Sequence, residues 1–177
     1  MDLSQHQYIT NILSRVGMDN CRPVSTLIDA KTSLVKASDS DPVFEQNLYQ
    51  RMIGSHMYLV TCTRPHLAFS VSYLSRVSSH PLERHHTALK WVLRYLAGTR
   101  FMFLKYNRFP TSLSLSIVGF SDSDYASCRD TRRSVSCCTF MLNGCAVSWL
   151  SKKQQSVASS TTEAEYMALA ITCRQAV

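Results

Sequence analysis

Two acidic motifs hold the residue types that could do chemistry in this chain. Gly119-Phe120-Ser121-Asp122-Ser123-Asp124-Tyr125 sets two carboxylates at the end of an apolar, strand-like run. Ser160-Thr161-Thr162-Glu163-Ala164-Glu165-Tyr166 sets two more at the start of a helical pattern. Asp122 and Asp124 sit two apart, so a strand presents both on one face. Glu163 follows Ser160 by three residues and reads as its capping-box partner. A strand Asp with a helix Glu is the first half of a two-metal nuclease site, where carboxylates from several elements hold ions ~4 Å apart and activate water. The chain ends at Val177, so the second half of such a site is expected to be missing from it.

Basic residues flank these motifs. Arg129, Arg132, Arg133, Lys152 and Lys153 are candidates for phosphate contact, as bidentate forks or point charges, and equally read as a solvated basic surface. A net charge of +7 and a pI near 9.2 favour an anionic partner, nucleic acid first. His80, His85 and His86 lack a partnering Cys, so packing or surface roles are expected rather than zinc. Seven Cys, with no C-x-x-C among them, fit free thiols in a reducing, intracellular compartment. Ser160 and Cys137 have no base partner in the sequence, so nucleophilic catalysis is not supported. The polar N-terminus is no signal peptide, and no run nears the ~20 apolar residues of a membrane span.

The elements that must position these groups change character along the chain. Tyr8, Ile12 and Val16 form one stripe, so a helix is predicted over about Ser4 to Val16, with Gly17 as its stop. Cys21 to Thr26 reads as extended, residues 27 to 43 show no period, and Ser38-Asp39-Ser40-Asp41-Pro42 reads as a linker or turn. Three helices should follow. The first is marked by Tyr49, Met52, Ile53, Met57 and Val60. The second opens at Thr63-Arg64-Pro65, and the third opens at His80-Pro81 and runs to Gly98. From residue 100 the period shortens to that of strands. They are Phe101 to Tyr106, then Leu113, Leu115 and Ile117 up to Asp122, then Val135 to Leu142 and Ala146 to Ser151 about an Asn143-Gly144 hairpin turn. A capped helix closes the chain.

Several of these residues resemble, as an ordered set, the Ty1/copia-type retrotransposon Pol polyprotein. Cys21-Arg22-Pro23-Val24-Ser25-Thr26, Thr63-Arg64-Pro65 and Val92-Leu93-Arg94-Tyr95-Leu96-Ala97-Gly98-Thr99 are similar to the end of its reverse transcriptase. The Phe120 to Ala126 run, Arg132-Arg133-Ser134, Ser148-Trp149, Ser151-Lys152-Lys153-Gln154 and Thr162-Glu163-Ala164-Glu165-Tyr166 resemble the ribonuclease H domain that follows it. The resemblance implies an α+β chain: a helical, connection-like region over 1–99, then a truncated ribonuclease H-like domain over 100–177, a mixed sheet with one helix. It makes Asp122 and Glu165 the inherited catalytic and metal positions, two of the four carboxylates that hold two Mg²⁺ ions in the complete family domain. Tyr125 stands where Trp is usual, Ser127-Cys128 where Gly-Asp is, Cys137-Cys138 where Gly-Tyr is, and Leu150 where a basic residue is. Loss of Gly at 127 and 137 would strain turns that want positive φ.

The function this implies is a catalytically incomplete Pol-derived chain, not an enzyme and without a cofactor of its own, that retains weak, salt-sensitive nucleic-acid binding. Its expected partners are RNA–DNA hybrids and further copies of itself, with no membrane, in the cytoplasm or nucleus. The C-terminal part is expected to be the less stable, with residues 113 to 172 exchanging amide hydrogens faster than the helices between 46 and 98. Two alternatives stand beside it. One is a ribonuclease H-type nuclease completed by a partner chain. The other follows from a resemblance to copia-like proteins among secreted RxLR effectors of oomycetes: a co-opted protein acting on host proteins in plant cells, on defence and cell death.

Overall fold

A computed structural model describes residues 1–29, 41–106 and 116–177. The expected linker residues Ser38 to Ser40, and Leu113 and Leu115 of the expected second strand, lie outside these. Contacts divide the chain into two units, Leu3–Phe103, and Met1–Asp2 with Leu104–Val177.

The first unit is helical. Helix α1 (His6–Arg15) buries Ile9, Ile12 and Leu13. It stops at Gly17, whose φ of +65 lets the Met18 amide donate back to the Leu13 carbonyl at 2.8 Å. Helix α2 (Gln46–Cys62) follows, then a 3₁₀ turn (Pro65–Leu67) that opens α3 (Ala68–Ser75), with proline in the first turn where no intrahelical donor is missed. Helix α4 (Glu83–Gly98) starts later than the His80-Pro81 signal. The reason is local: Leu82 bridges to Val43, and the Phe44 amide donates to the Pro81 carbonyl at 2.9 Å, which holds Pro81–Leu82 extended.

The core of this unit is Ile9, Leu13, Leu59, Leu67, Val71, Leu74, Leu89, Val92, Leu93 and Leu96, all essentially inaccessible. At ~25 cal/mol per Å² of apolar surface, these side chains are its main source of stability. Tyr49 is buried among them, its hydroxyl donating to the Leu74 carbonyl at 3.0 Å, and burial pushes its pKa up. The extended segment after α1 is pinned to α4: Trp91 Nε1 donates to the Thr26 carbonyl at 2.9 Å and Arg94 Nε to the Arg22 carbonyl at 2.7 Å. Gly98 lets Pro23 close in, since a Cβ there would stand 3.0 Å from the Pro23 Cβ.

Arg64 is the largest fully buried side chain. Its Nη2 donates to the carbonyls of Thr99 at 2.8 Å and Arg100 at 3.2 Å, just beyond the end of α4. His85 is also buried, and its Nδ1 accepts from the Leu82 amide at 3.1 Å. His86 stacks on Phe44 at 3.9 Å. These two histidines therefore pack, and no group of three or more His, Cys, Asp or Glu converges on a metal-sized site among the described residues.

The second unit is a sheet with one helix. Short strand β1 (Asp2–Leu3) brings Met1 to it, and the terminal ammonium donates to the Tyr106 carbonyl at 2.7 Å. Of the expected Phe101–Tyr106 strand only β2 (Leu104–Lys105) forms, because the Met102 amide closes a turn onto the Thr99 carbonyl at 3.0 Å. Strands β3 (Ile117–Asp124), β4 (Val135–Leu142) and β5 (Cys145–Lys153) make an antiparallel meander with β4 in the centre. Asn143 and Gly144, at φ +50 and +80, form the two-residue turn their sequence predicts. A register shift between Phe140 and Met141 marks a bulge.

Helix α5 (Thr161–Ala176) covers one face of the sheet through Ala164, Ala168 and Thr172. Gln154 ties them together, its Nε2 donating to Ser136 Oγ at 2.9 Å and to the Ala164 carbonyl at 3.0 Å. Gly119 pairs with Phe140 on that face, and a Cβ at Gly119 would meet the ring at 2.8 Å.

Candidate functional site

The register fixes where each candidate side chain points. Ser121, Ser123, Ser136, Cys138 and Phe140 share the face that α5 covers; Val118, Phe120, Asp122, Asp124 and Cys137 share the other. Asp122 is exposed on β3, opposite Cys137 of β4. Glu165 extends from α5 to β3, where its Oε1 accepts from Ser123 Oγ at 2.9 Å and from the Ser123 amide at 3.3 Å. The two inherited positions are thus on touching elements, yet the Glu165 carboxylate is held by Ser123, whose side chain leaves β3 on the face opposite Asp122. Mg²⁺ demands near-octahedral oxygen ligands and keeps several waters. This donor set does not fit a two-metal centre, and no hydrolytic step is derived through one.

Glu163 has the capping role its spacing indicates, with one change of partner. The Glu163 amide donates to Ser160 Oγ at 3.1 Å, but the Glu163 carboxylate accepts from Ser159, from both its amide and its hydroxyl at 2.6 Å. These hydrogen bonds, the Ser159 hydroxyl first, hold the exposed carboxyl below its ordinary pKa.

Arg129, Arg132 and Arg133 lie on the loop between β3 and β4. The Arg132 amide donates to the Cys128 carbonyl at 2.7 Å, and the Cys128 amide donates to the Arg133 carbonyl at 3.1 Å. This tight loop puts Ala126 and Arg132 at φ +49 and +53. Ser127 and Cys137 are not among the described residues with positive φ, so they do not show the strain expected from their lost glycines; Ala126 and Arg132 carry the positive φ of this loop. Cys137 escapes because it lies within the extended β4 ladder.

Lys152 and Lys153 are adjacent in β5 and so face opposite ways. Lys153 points toward the loop, where its charge acts on Cys128. Burial pushes that thiol up, but hydrogen bonds from Thr131, the Lys153 ammonium and the Asp130 amide outweigh it and leave the pKa below its ordinary value. Lys152 points toward α5. Between β5 and α5 runs an open groove of about 480 Å³, floored by Leu150, Met167 and Ile171 and edged by Lys152, Arg174 and Gln175. Lys153, Gln154 and Gln155 border it along the chain, and no carboxylate lines it among the described residues. The grouping read from the sequence therefore divides at the two lysines, Lys152 toward the groove and Lys153 toward the loop that carries the arginines. Arg174 and Ser123 were missed. A basic residue in the last turn of a helix reads as a dipole partner, and Ser123 shows its role only once α5 is laid on the sheet.

No family model matches the chain, and no solved structure does. Curated proteins do. The chain is 39% identical over 180 residues to the retrovirus-related Pol polyprotein from transposon TNT 1-94 of Nicotiana tabacum, which covers 99% of this chain and 13% of that protein. It is 47% identical over 129 residues to the secreted RxLR effector protein 161 of Plasmopara viticola, covering 73% of this chain and 89% of that one. An uncharacterized mitochondrial protein of Arabidopsis thaliana is 37% identical over 177 residues, covering 98% of this chain and 70% of its own length. The chain thus spans about an eighth of the tobacco polyprotein.

Proposed function

Because the chain belongs to the retrotransposon Pol polyprotein family, we propose that it holds nucleic-acid backbone in the β5–α5 groove and, by itself, does not cut it. The groove carries this reading: Lys152 and Arg174 edge it beside the Gln155 amide, with no carboxylate lining it among the described residues, in a chain of net charge +7. Cations and amides of this kind bind phosphate oxygens without reading sequence. The absence of cutting follows from Glu165 being held by Ser123 while Asp122 stands on the other face.

Anisotropy of a labelled RNA–DNA hybrid tests the binding. For two phosphate contacts, affinity should fall roughly 12-fold between 50 and 200 mM salt. Lys152→Gln with Arg174→Gln should remove most of the low-salt affinity and flatten that dependence. Salt-insensitive binding, or a variant that binds like the parent, rejects the groove. On gels with Mg²⁺ or Mn²⁺ the hybrid should stay whole. Cleavage that disappears in Asp122→Asn would overturn the non-cutting half.

A second reading rests on the similarity to the Plasmopara effector, of which the chain covers 89%. In it the protein acts inside plant cells on host proteins. Expression in leaf tissue should then alter cell death or defence, and Lys152→Gln/Arg174→Gln should leave that effect intact.

A further inference from the structure

We propose that the helical unit carries a separate binding site, for a small aromatic carboxylate, where α1, α2 and α4 line a common cavity. The cavity holds about 120 Å³. An engineered apolar cavity of ~150 Å³ takes up benzene, so this volume suits one six-membered ring rather than a nucleoside. Its apolar walls include Ile12 of α1, Met52 of α2 and Leu93 of α4, all buried.

The charged groups at this cavity are of one sign, beside the neutral Ser55 and His56. Arg15, in the last turn of α1, and Arg51 of α2 both line it and are exposed. Neither meets a carboxylate among the described residues, where the ion pairs are Arg84 with Asp41 and His86 with Glu83. Two guanidiniums on one small cavity repel each other, and a carboxylate between them would relieve this through charge-assisted, bidentate hydrogen bonds. His56, wholly buried, forms another part of the wall. Its Nδ1 is 2.7 Å from the Met52 carbonyl, so the proton sits on Nδ1, while Nε2 has no partner among the described residues. Burial disfavours a second proton on this ring, so His56 adds no charge of its own. An apolar slot with two cations at its edge selects an apolar body with an anionic head. This site owes nothing to the β5–α5 groove.

Amide spectra of the ¹⁵N-labelled full chain, titrated with benzoate and with uncharged benzyl alcohol, test the proposal. Benzoate should give saturable shifts confined to residues around Ile12, Arg51, Met52 and His56, and benzyl alcohol should bind at least tenfold more weakly. Arg51→Gln and Arg15→Gln, both at exposed positions, should each weaken benzoate several-fold and leave benzyl alcohol unchanged. Equal affinity for the two probes, shifts scattered over the surface, or no saturation with the parent chain overturns the site. Because the two-probe comparison uses the unmodified protein, it decides even if a variant unfolds.

Discussion

Arg64 shows how much one side chain can hold. It is inaccessible, burial pulls its pKa below the ordinary arginine value, and its Nε and Nη1 have no partner among the described residues. What it does is donate to the carbonyls of Thr99 and Arg100 where α4 ends. Arg64→Ala should cost about 3 kcal/mol or more, combining a cavity with two stranded carbonyls. Arg64→Met fills the space and removes a buried charge, so it should cost clearly less. Urea unfolding of the two variants checks the order, and equal losses would mean that filling the space contributes nothing and that the stranded carbonyls carry the whole cost. At this scale the sequence was partly legible. The ends of motifs were visible, as with Asp122 at a strand end and Ser160 at a cap. Partners brought by tertiary contact were not: Arg64 reads as an ordinary polar residue before a proline, and positive φ at Ala126 and Arg132 has no signature in their residue types.

Among the elements, periodicity located α1, α2, α4, β4, β5 and α5 because each has a repeating apolar side or a strong turn signal. It failed where neighbours intervened. The turn onto Thr99 shortened the strand expected from Phe101, and the Val43 bridge delayed α4. The same contrast sets local stability. Helix α4 buries Leu89, Val92, Leu93 and Leu96, whereas α5 buries only Ala164, Ala168 and Thr172. Small side chains bury little apolar area. On β3, Phe120 and Val118 remain 57% and 46% exposed. Amides of α5 and β3 should therefore exchange with solvent faster than those of α4. Hydrogen exchange read by mass spectrometry checks this, and slower exchange in α5 than in α4 would refute it.

For the molecule as a whole, pH is the sharper probe of the helical unit. Burial, the largest cause in each case, lowers the pKa of His56, His66, His85 and His86 from the ordinary 6.5. Above pH 6.5 folded and unfolded chains carry these rings equally neutral. Below it the unfolded chain takes up protons that the folded one disfavours, so stability is full above 6.5 and declines as pH falls. The depressed Glu163 carboxyl adds a further loss only at lower pH, as the fall passes below the ordinary 4.5. The urea midpoint at pH 5.5 should therefore lie below that at 7.5, and an unchanged or higher midpoint would exclude buried neutral imidazoles. The sheet offers a different reporter. Cys137 and Cys138 are consecutive in β4, so one thiol looks out from the open face while the other sits beneath α5, where burial raises its pKa. A single alkylating reagent would thus date two events on one peptide: the first label records access to the open face, and the second records the moment α5 lifts away.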